Sequence, residues 1–203
     1  MLFRSRTEYP EKVTLFLEFH GSHASVKEQA ETVGDLCAEW GGSDFEWTAF
    51  EEQRTEMWAA RHSAAYAAMA VNPAARAYVS DVCVPIGRLA DCIRETREDV
   101  AKHTAISSFL LGHIGDGNFH YVFLVDPDDP SEIETIQQLN ERMVQRAIRM
   151  GGTCTGEHGV GLGKRKYLEQ EFGTDAIALM QTIKRAMDPN DILNPGKLLA
   201  RHD

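Results

Sequence analysis

Cysteine is scarce in this 203-residue chain, and the four present, Cys37, Cys83, Cys92 and Cys154, include no Cys-x-x-Cys pair. Such spacing argues against a disulfide framework or an all-cysteine zinc site and suits a reducing compartment, the cytoplasm being the simplest. Long apolar runs are also missing. No stretch approaches the roughly 20 apolar residues of a spanning helix, and residues 1–12 lack an apolar core of signal-peptide length, so a soluble, unprocessed protein is expected. No Lys/Arg-rich run concentrates positive charge, and with a formal net charge of -10 the chain would repel nucleic acid and anionic membrane surfaces. Repeats, low-complexity segments and linkers are absent, which favours one domain over residues 1–203.

Nucleotide motifs are missing as well. A Walker A loop ending at Gly163-Lys164 would need Gly where His158 stands, and Arg165 replaces the required Ser or Thr. Gly159-Val160-Gly161-Leu162-Gly163 fails the dinucleotide fingerprint because its third Gly comes too early.

What is present is the composition of a folded protein: 43% hydrophobic and 26% charged residues, enough apolar material to bury a core. Val13–Phe19 and Phe45–Phe50 read as strands, with a helix over Ala24–Trp40 between them. Ala-rich Glu51–Val71 reads as a helix broken at Asn72-Pro73, Tyr78–Pro85 as a third strand, and Ile86–His103 as a helix. Ala105–Gly112 and Phe119–Val125 form the arms of a hairpin. A helix from about Ser131 to Met150 follows, then helical segments at Lys166–Phe172 and Asp175–Met187. This order predicts an α+β fold, a mainly antiparallel sheet covered by helices, with ferredoxin-like elements early and a helical C-terminal segment. Trp40, Trp47, Phe19 and Tyr78 read as core.

Chemistry concentrates at two places. In His113-Ile114-Gly115-Asp116-Gly117-Asn118-Phe119-His120, Asp116-Gly117 is a strong hairpin signal, and a two-residue loop there sets His113 opposite His120, close enough to share a cation. The loop Gly151–Gly161 places Glu157-His158 among five glycines, where backbone can approach a ligand closely. Two imidazoles and a carboxylate with one position open form a ligand set for a catalytic divalent ion, which makes His113, His120 and Glu157 candidate metal ligands. Histidine titrates near neutrality, so His158 beside them suits a general base. On the long second helix, Arg61 offers a guanidinium, the natural clamp for a carboxylate.

His-x-Gly-Asp-Gly-Asn-x-His at 113–120 stands with three further motifs in order. These are Gly-Thr-Cys-Thr-Gly-Glu-His-Gly-Val-Gly at 152–161, Ser-Asp-Val-Cys-Val-Pro at 80–85, and Asp-Pro-Asn-Asp-Ile-Leu-Asn-Pro-Gly-Lys at 188–197. Together they resemble the C-terminal domain of the FAD-linked 2-hydroxy-acid dehydrogenases, within the vanillyl-alcohol-oxidase-type flavoproteins, over nearly the whole chain. The resemblance implies a cap domain whose His113, His120 and Glu157 hold zinc or manganese. It implies that Arg61 binds the substrate carboxylate and that His158 takes the hydroxyl proton as hydride leaves C2 for the flavin. It also implies that Asn194 and Lys197 lie in a tail segment near the flavin. Members acting on 2-hydroxyglutarate carry a polar Asn where Val122 stands and a Lys where Val79 stands, so a small monocarboxylate such as D-lactate or glycolate is expected.

The same resemblance implies an FAD-binding domain that this chain does not contain, supplied by a further domain or a partner subunit, and an electron acceptor. A non-catalytic metal and hydroxy-acid binding module is the rival from another class. A metal-assisted hydrolase is a third reading, since two histidines and a carboxylate also activate water.

Overall fold

The computed structural model describes residues 12–201. The chain forms two compact units, divided between Ala70 and Val71.

The first unit holds helices α1, His23–Glu39, and α2, Glu51–Met69. Ser22 caps α1 by accepting from the Ser25 amide, which satisfies one of the donors a helix start leaves free. Among the described residues of this unit only Ala30 is buried. Val13–Phe19 and Phe45–Phe50, expected as strands, form no strand among the described residues. Trp40 and Trp47, expected in the core, are 83% and 43% exposed. Phe19 is half-buried.

The second unit contains the sheet and the main core. Its elements are β1, Arg76–Val79; β2, Val82–Cys83; α3, Ile86–His103; β3, Ser108–His113; β4, Asn118–Val125; α4, Pro130–Arg149; α5, Leu168–Phe172; and α6, Thr174–Met187. Strand β4 is central: β3 pairs antiparallel on one side, and β1 and β2 pair antiparallel on the other. The expected third strand is interrupted at Ser80-Asp81, yet β1 and β2 keep one register against β4, from Arg76↔Val125 to Val82↔Phe119. Asp81 therefore falls across from His120. Every residue of β4 is buried, as a strand flanked on both edges demands.

Phe119, Phe123 and Val125 from one face of β4 pack with Leu89, Cys92 and Val100 of α3 and with Ile136, Leu139, Met143, Val144 and Ala147 of α4. The α4 residues recur at three- and four-residue steps, the stripe a helix needs to lie on a sheet. Each fully buried large side chain contributes about 1.5–3 kcal/mol. Across α3 and α4, Asp99 accepts hydrogen bonds from Arg142 and Arg146. The α+β class holds. Among the described residues no helix is long and apolar enough to cross a membrane.

The hairpin register differs from expectation. His113 pairs with Asn118, and His120 pairs with Leu111. The connection is a four-residue turn, in which Ile114–Asp116 forms one tight helical turn and Gly117 takes a left-handed backbone. A slip of two residues leaves every side chain on its original face, so His113 and His120 remain diagonal neighbours, their ring centroids 6.4 Å apart. The turn is held from outside. The Cys83 thiol donates to the Asp116 carbonyl at 3.2 Å, and the Val84 amide donates to the Gly117 carbonyl at 3.0 Å.

Candidate functional site

His120, on the central strand, is the buried centre of the site. Its Nδ1 lies 3.2 Å from the Ser80 carbonyl oxygen. A carbonyl only accepts, so Nδ1 carries the proton, and neutral His120 presents an unprotonated Nε2. That nitrogen stands 2.7 Å from Glu157 Oε1. Two lone pairs so close repel unless positive charge lies with them, either a proton on the imidazole or a cation shared by both. His113 Nε2 approaches the same oxygen at 3.5 Å, and one ligand atom from each of the three residues lies within 4.8 Å of the others. The donor set fits a divalent ion bound by two imidazoles and a carboxylate.

The loop after α4 delivers Glu157. It is pinned at its start by an antiparallel bridge between Thr153 and Cys83. His158, next in sequence, stacks on His120 with ring centroids 4.6 Å apart and planes 8° from parallel. The ring is exposed, free to meet a substrate beside the three candidate ligands. A cleft of about 360 Å³ opens here, lined by Cys83, His113, Asp116, Asn118, Gly156 and Glu157.

Beneath this cleft lies a residue to which sequence reasoning assigned no role. Asp81 is 1% exposed, and its carboxylate accepts from Asn118 Nδ2, Thr155 Oγ1, Lys164 Nζ and the backbone amides of Gly156, Glu157 and His158. Burial pushes its pKa up, but hydrogen bonds from Lys164, Thr155 and the His158 amide outweigh that and hold the carboxyl well below the usual carboxylate range. The signal in the sequence was a lone acid inside the β-prone run Tyr78–Pro85: a charge on a buried strand must be paired. Asn118 was also passed over. It donates to Asp81 and to the Val82 carbonyl. Cys83 lines the cleft with its thiol pushed up by burial and by Asp116 and Asp81, which keeps it neutral near pH 7.

The other residues singled out from sequence lie elsewhere. Arg61 is half-buried on α2 of the first unit, whereas the cluster just described is built wholly within the second. Asn194 and Lys197 follow a turn organised by Asp188, which accepts from the Ile192 and Leu193 amides. They line a cleft of about 590 Å³ together with Val160, Gly161, Ile183 and Leu199. The Leu198 amide donates to the Gly161 carbonyl at 2.8 Å, so this tail is tied to the loop that carries Glu157 and His158.

The second unit is thus an α+β body carrying a His/His/Glu cluster at one end of its central strand. The chain matches the family described as FAD linked oxidases, C-terminal domain, over residues 3–198, and it belongs to that family. It is 49% identical over 186 residues to a probable mitochondrial D-lactate dehydrogenase of Danio rerio, covering 92% of this chain and 37% of that protein. With the mitochondrial D-lactate dehydrogenase (cytochrome) of Arabidopsis thaliana it shares 41% identity over 199 residues, covering 98% of this chain and 34% of the relative. With the glycolate oxidase subunit GlcD of Bacillus subtilis it shares 33%, covering 94% and 40%. The chain therefore spans little more than a third of the length of these relatives. Among solved structures, 4-ethylphenol oxidase from Gulosibacter chungangensis, in its isoeugenol complex, matches with a TM-score of 0.64 at 19% identity, over 91% of this chain and 38% of that one; the likeness is one of fold.

Proposed function

We propose that this chain is the substrate- and metal-binding cap of an FAD-dependent D-2-hydroxy-acid dehydrogenase of the D-lactate or glycolate type. The observation that carries the reading is the meeting of His120 Nε2 and His113 Nε2 at Glu157 Oε1, while the Ser80 carbonyl engages His120 Nδ1 on the other side of the ring. His113, His120 and Glu157 would hold a zinc or manganese ion, which as a Lewis acid lowers the pKa of a substrate hydroxyl. FAD, bound mainly by an FAD-binding domain or subunit, supplies the acceptor for the hydride leaving C2.

The chain's own residues do the rest. His158, stacked on His120 and open to the cleft, takes the hydroxyl proton. Arg61 is assigned the substrate carboxylate on its chemistry and on the family resemblance. Asn194 and Lys197 are assigned to the flavin side, in keeping with their cleft beside Val160 and Gly161. Val79 and Val122, apolar on facing strands, leave no partner there for a second carboxylate and favour a monocarboxylate. The four free thiols suit a reducing compartment such as the cytoplasm.

The test has two stages. Purified protein is loaded with zinc or manganese and its metal content measured; about one equivalent per chain is expected, falling to background in His113→Ala, His120→Ala and Glu157→Gln. An FAD-binding domain, D-lactate and a dye acceptor are then added, and dye reduction is expected that His158→Gln abolishes. Metal content that survives all three substitutions would refute the site. A metal-loaded complex with FAD that never reduces dye with D-lactate or glycolate would leave the chain a binding module.

A further inference from the structure

A second trio, Asp81, His120 and His158, also brings ligand atoms within 4.8 Å of one another. The hydrogen bonds at Asp81 decide between the two groups. An ionised carboxylate offers about four lone-pair sites. Asp81 already serves six donors: Asn118 Nδ2 at 2.9 Å, Thr155 Oγ1 at 2.8 Å, Lys164 Nζ at 3.0 Å, and the amides of Gly156 at 2.9 Å, Glu157 at 3.2 Å and His158 at 3.1 Å. No lone pair remains for a cation. Glu157 is the opposite case: half-exposed, with an oxygen aimed at two imidazoles.

We infer that Asp81 is the positioning residue of this site, a buried anion around which residues 155–158 are wrapped so that Glu157 and His158 meet His120. The inference rests on the proposed reading of His113, His120 and Glu157 as metal ligands. Three consecutive amides converge on one carboxylate, which sets the backbone of Glu157 and His158 directly. Lys164 closes the far side, its Nζ donating to both the carboxylate and the main-chain carbonyl of Asp81. Gly156 is required by this wrapping, because a β-carbon there would collide with Asn118 Nδ2 and Asp81 Oδ1. Asp81 and its neighbour thus organise both halves of the cluster. The Ser80 carbonyl selects the His120 tautomer, and the Asp81 carboxylate holds the loop that presents the acid.

Asp81 touches neither of the open ligand nitrogens; its Oδ1 lies 3.6 Å from His120 Nδ1, but its direct hydrogen bonds are to the backbone that carries Glu157, and a double-mutant cycle isolates the coupling through Glu157. Zinc and manganese affinities are measured on the purified chain at constant pH for wild type, Asp81→Asn, Glu157→Gln and the double variant. Removing a residue that orients a ligand weakens metal binding by about 10- to 100-fold. Asp81→Asn is expected to lose that much in the wild-type background and no more than about twofold when Glu157 is already Gln. Lys164→Met, which removes one clamp from the rim, is expected to weaken binding by several-fold and serves if Asp81→Asn does not fold. The inference is overturned by wild-type affinity in both single variants, or by an equal loss in both backgrounds, the signature of general structural damage. If instead wild type binds neither metal, or His120→Ala binds as wild type does, the proposed function itself fails and this inference with it. The two failures are therefore distinguishable.

Discussion

Replacing Asp99 with Asn tests whether the α3–α4 pair that supports the sheet is held by charge as well as by packing. Asp99 accepts from Arg142 Nε at 3.0 Å and Nη2 at 3.1 Å, and from Arg146 Nη2 at 3.2 Å. Its side chain is 12% exposed and that of Arg146 10%, so little solvent screens the pair. Breaking a buried ion pair costs about 3–5 kcal/mol when the partner is left alone. Arg146 is not left alone: it keeps Thr96 and Glu95, and the substituted side-chain amide would still offer one acceptor oxygen. The expected loss at pH 7 is therefore about 2–3 kcal/mol, the scale of one charge-assisted bond pair.

Its pH dependence follows from the direction of the shift. Burial pushes Asp99 up, but hydrogen bonds from Arg142 and then Arg146 outweigh that and hold the folded-state pKa below the ordinary value. Such a group contributes its stability above the unfolded-state pKa, near 3.9, and loses it as pH falls through the folded value. His103 Nδ1 also lies 2.9 Å from Asp99 Oδ1, and below about pH 5 the wild-type advantage over Asp99→Asn should shrink toward pH 3. All three tryptophans, Trp40, Trp47 and Trp58, lie in the first unit, so fluorescence is the wrong probe. Hydrogen exchange of peptides from α3 and α4 against urea reads the second unit directly. A gap below about 0.5 kcal/mol at pH 7, or one that persists undiminished at pH 3, would refute the reasoning.

Two further substitutions test the turns that aim the site. Gly117→Ala puts a β-carbon at a left-handed residue and against the Val84 carbonyl oxygen; conformational strain and overpacking should destabilise the second unit by about 2–5 kcal/mol and lower metal affinity through His113, and an unchanged thermal transition would count against the turn geometry. Lys184, helped by the Leu193 and Ile192 amides, holds Asp188 down to about 2, so this turn's stability is present above pH 4 and is lost only as pH falls through that folded-state value. Asp188→Asn should therefore speed amide exchange at Ile192 and Leu193 at pH 7, while the wild-type amides remain protected at pH 3; equal exchange in both proteins would refute the capping role.

Much of the second unit was legible locally. Helix α3 begins after Pro85 and ends at His103, as its periodicity and flanks require, and α4 and α6 fall within a residue of their expected limits. A helix satisfies its backbone within itself, so its neighbours in sequence suffice to define it. The strands expected at Val13–Phe19 and Phe45–Phe50 show the converse: a strand's hydrogen bonds come from elsewhere in the chain, so its own residues do not define it.

The site divides along the same line. His113, His120, Glu157 and His158 stood out by residue type, and the Asp116-Gly117 turn brought the first two onto one face whichever of the two registers formed. The register itself was chosen by contacts outside the hairpin, where Cys83 and Val84 bind the turn. Asp81 carried almost no local mark, because its partners lie 37 to 83 residues away along the chain. Which groups could do chemistry was already written in the order of the residues, since that is a property of side chains. Which carboxylate stays open and which is consumed as an anchor was settled by the folded chain alone, because a lone pair is free or spent according to the donors the fold brings to it.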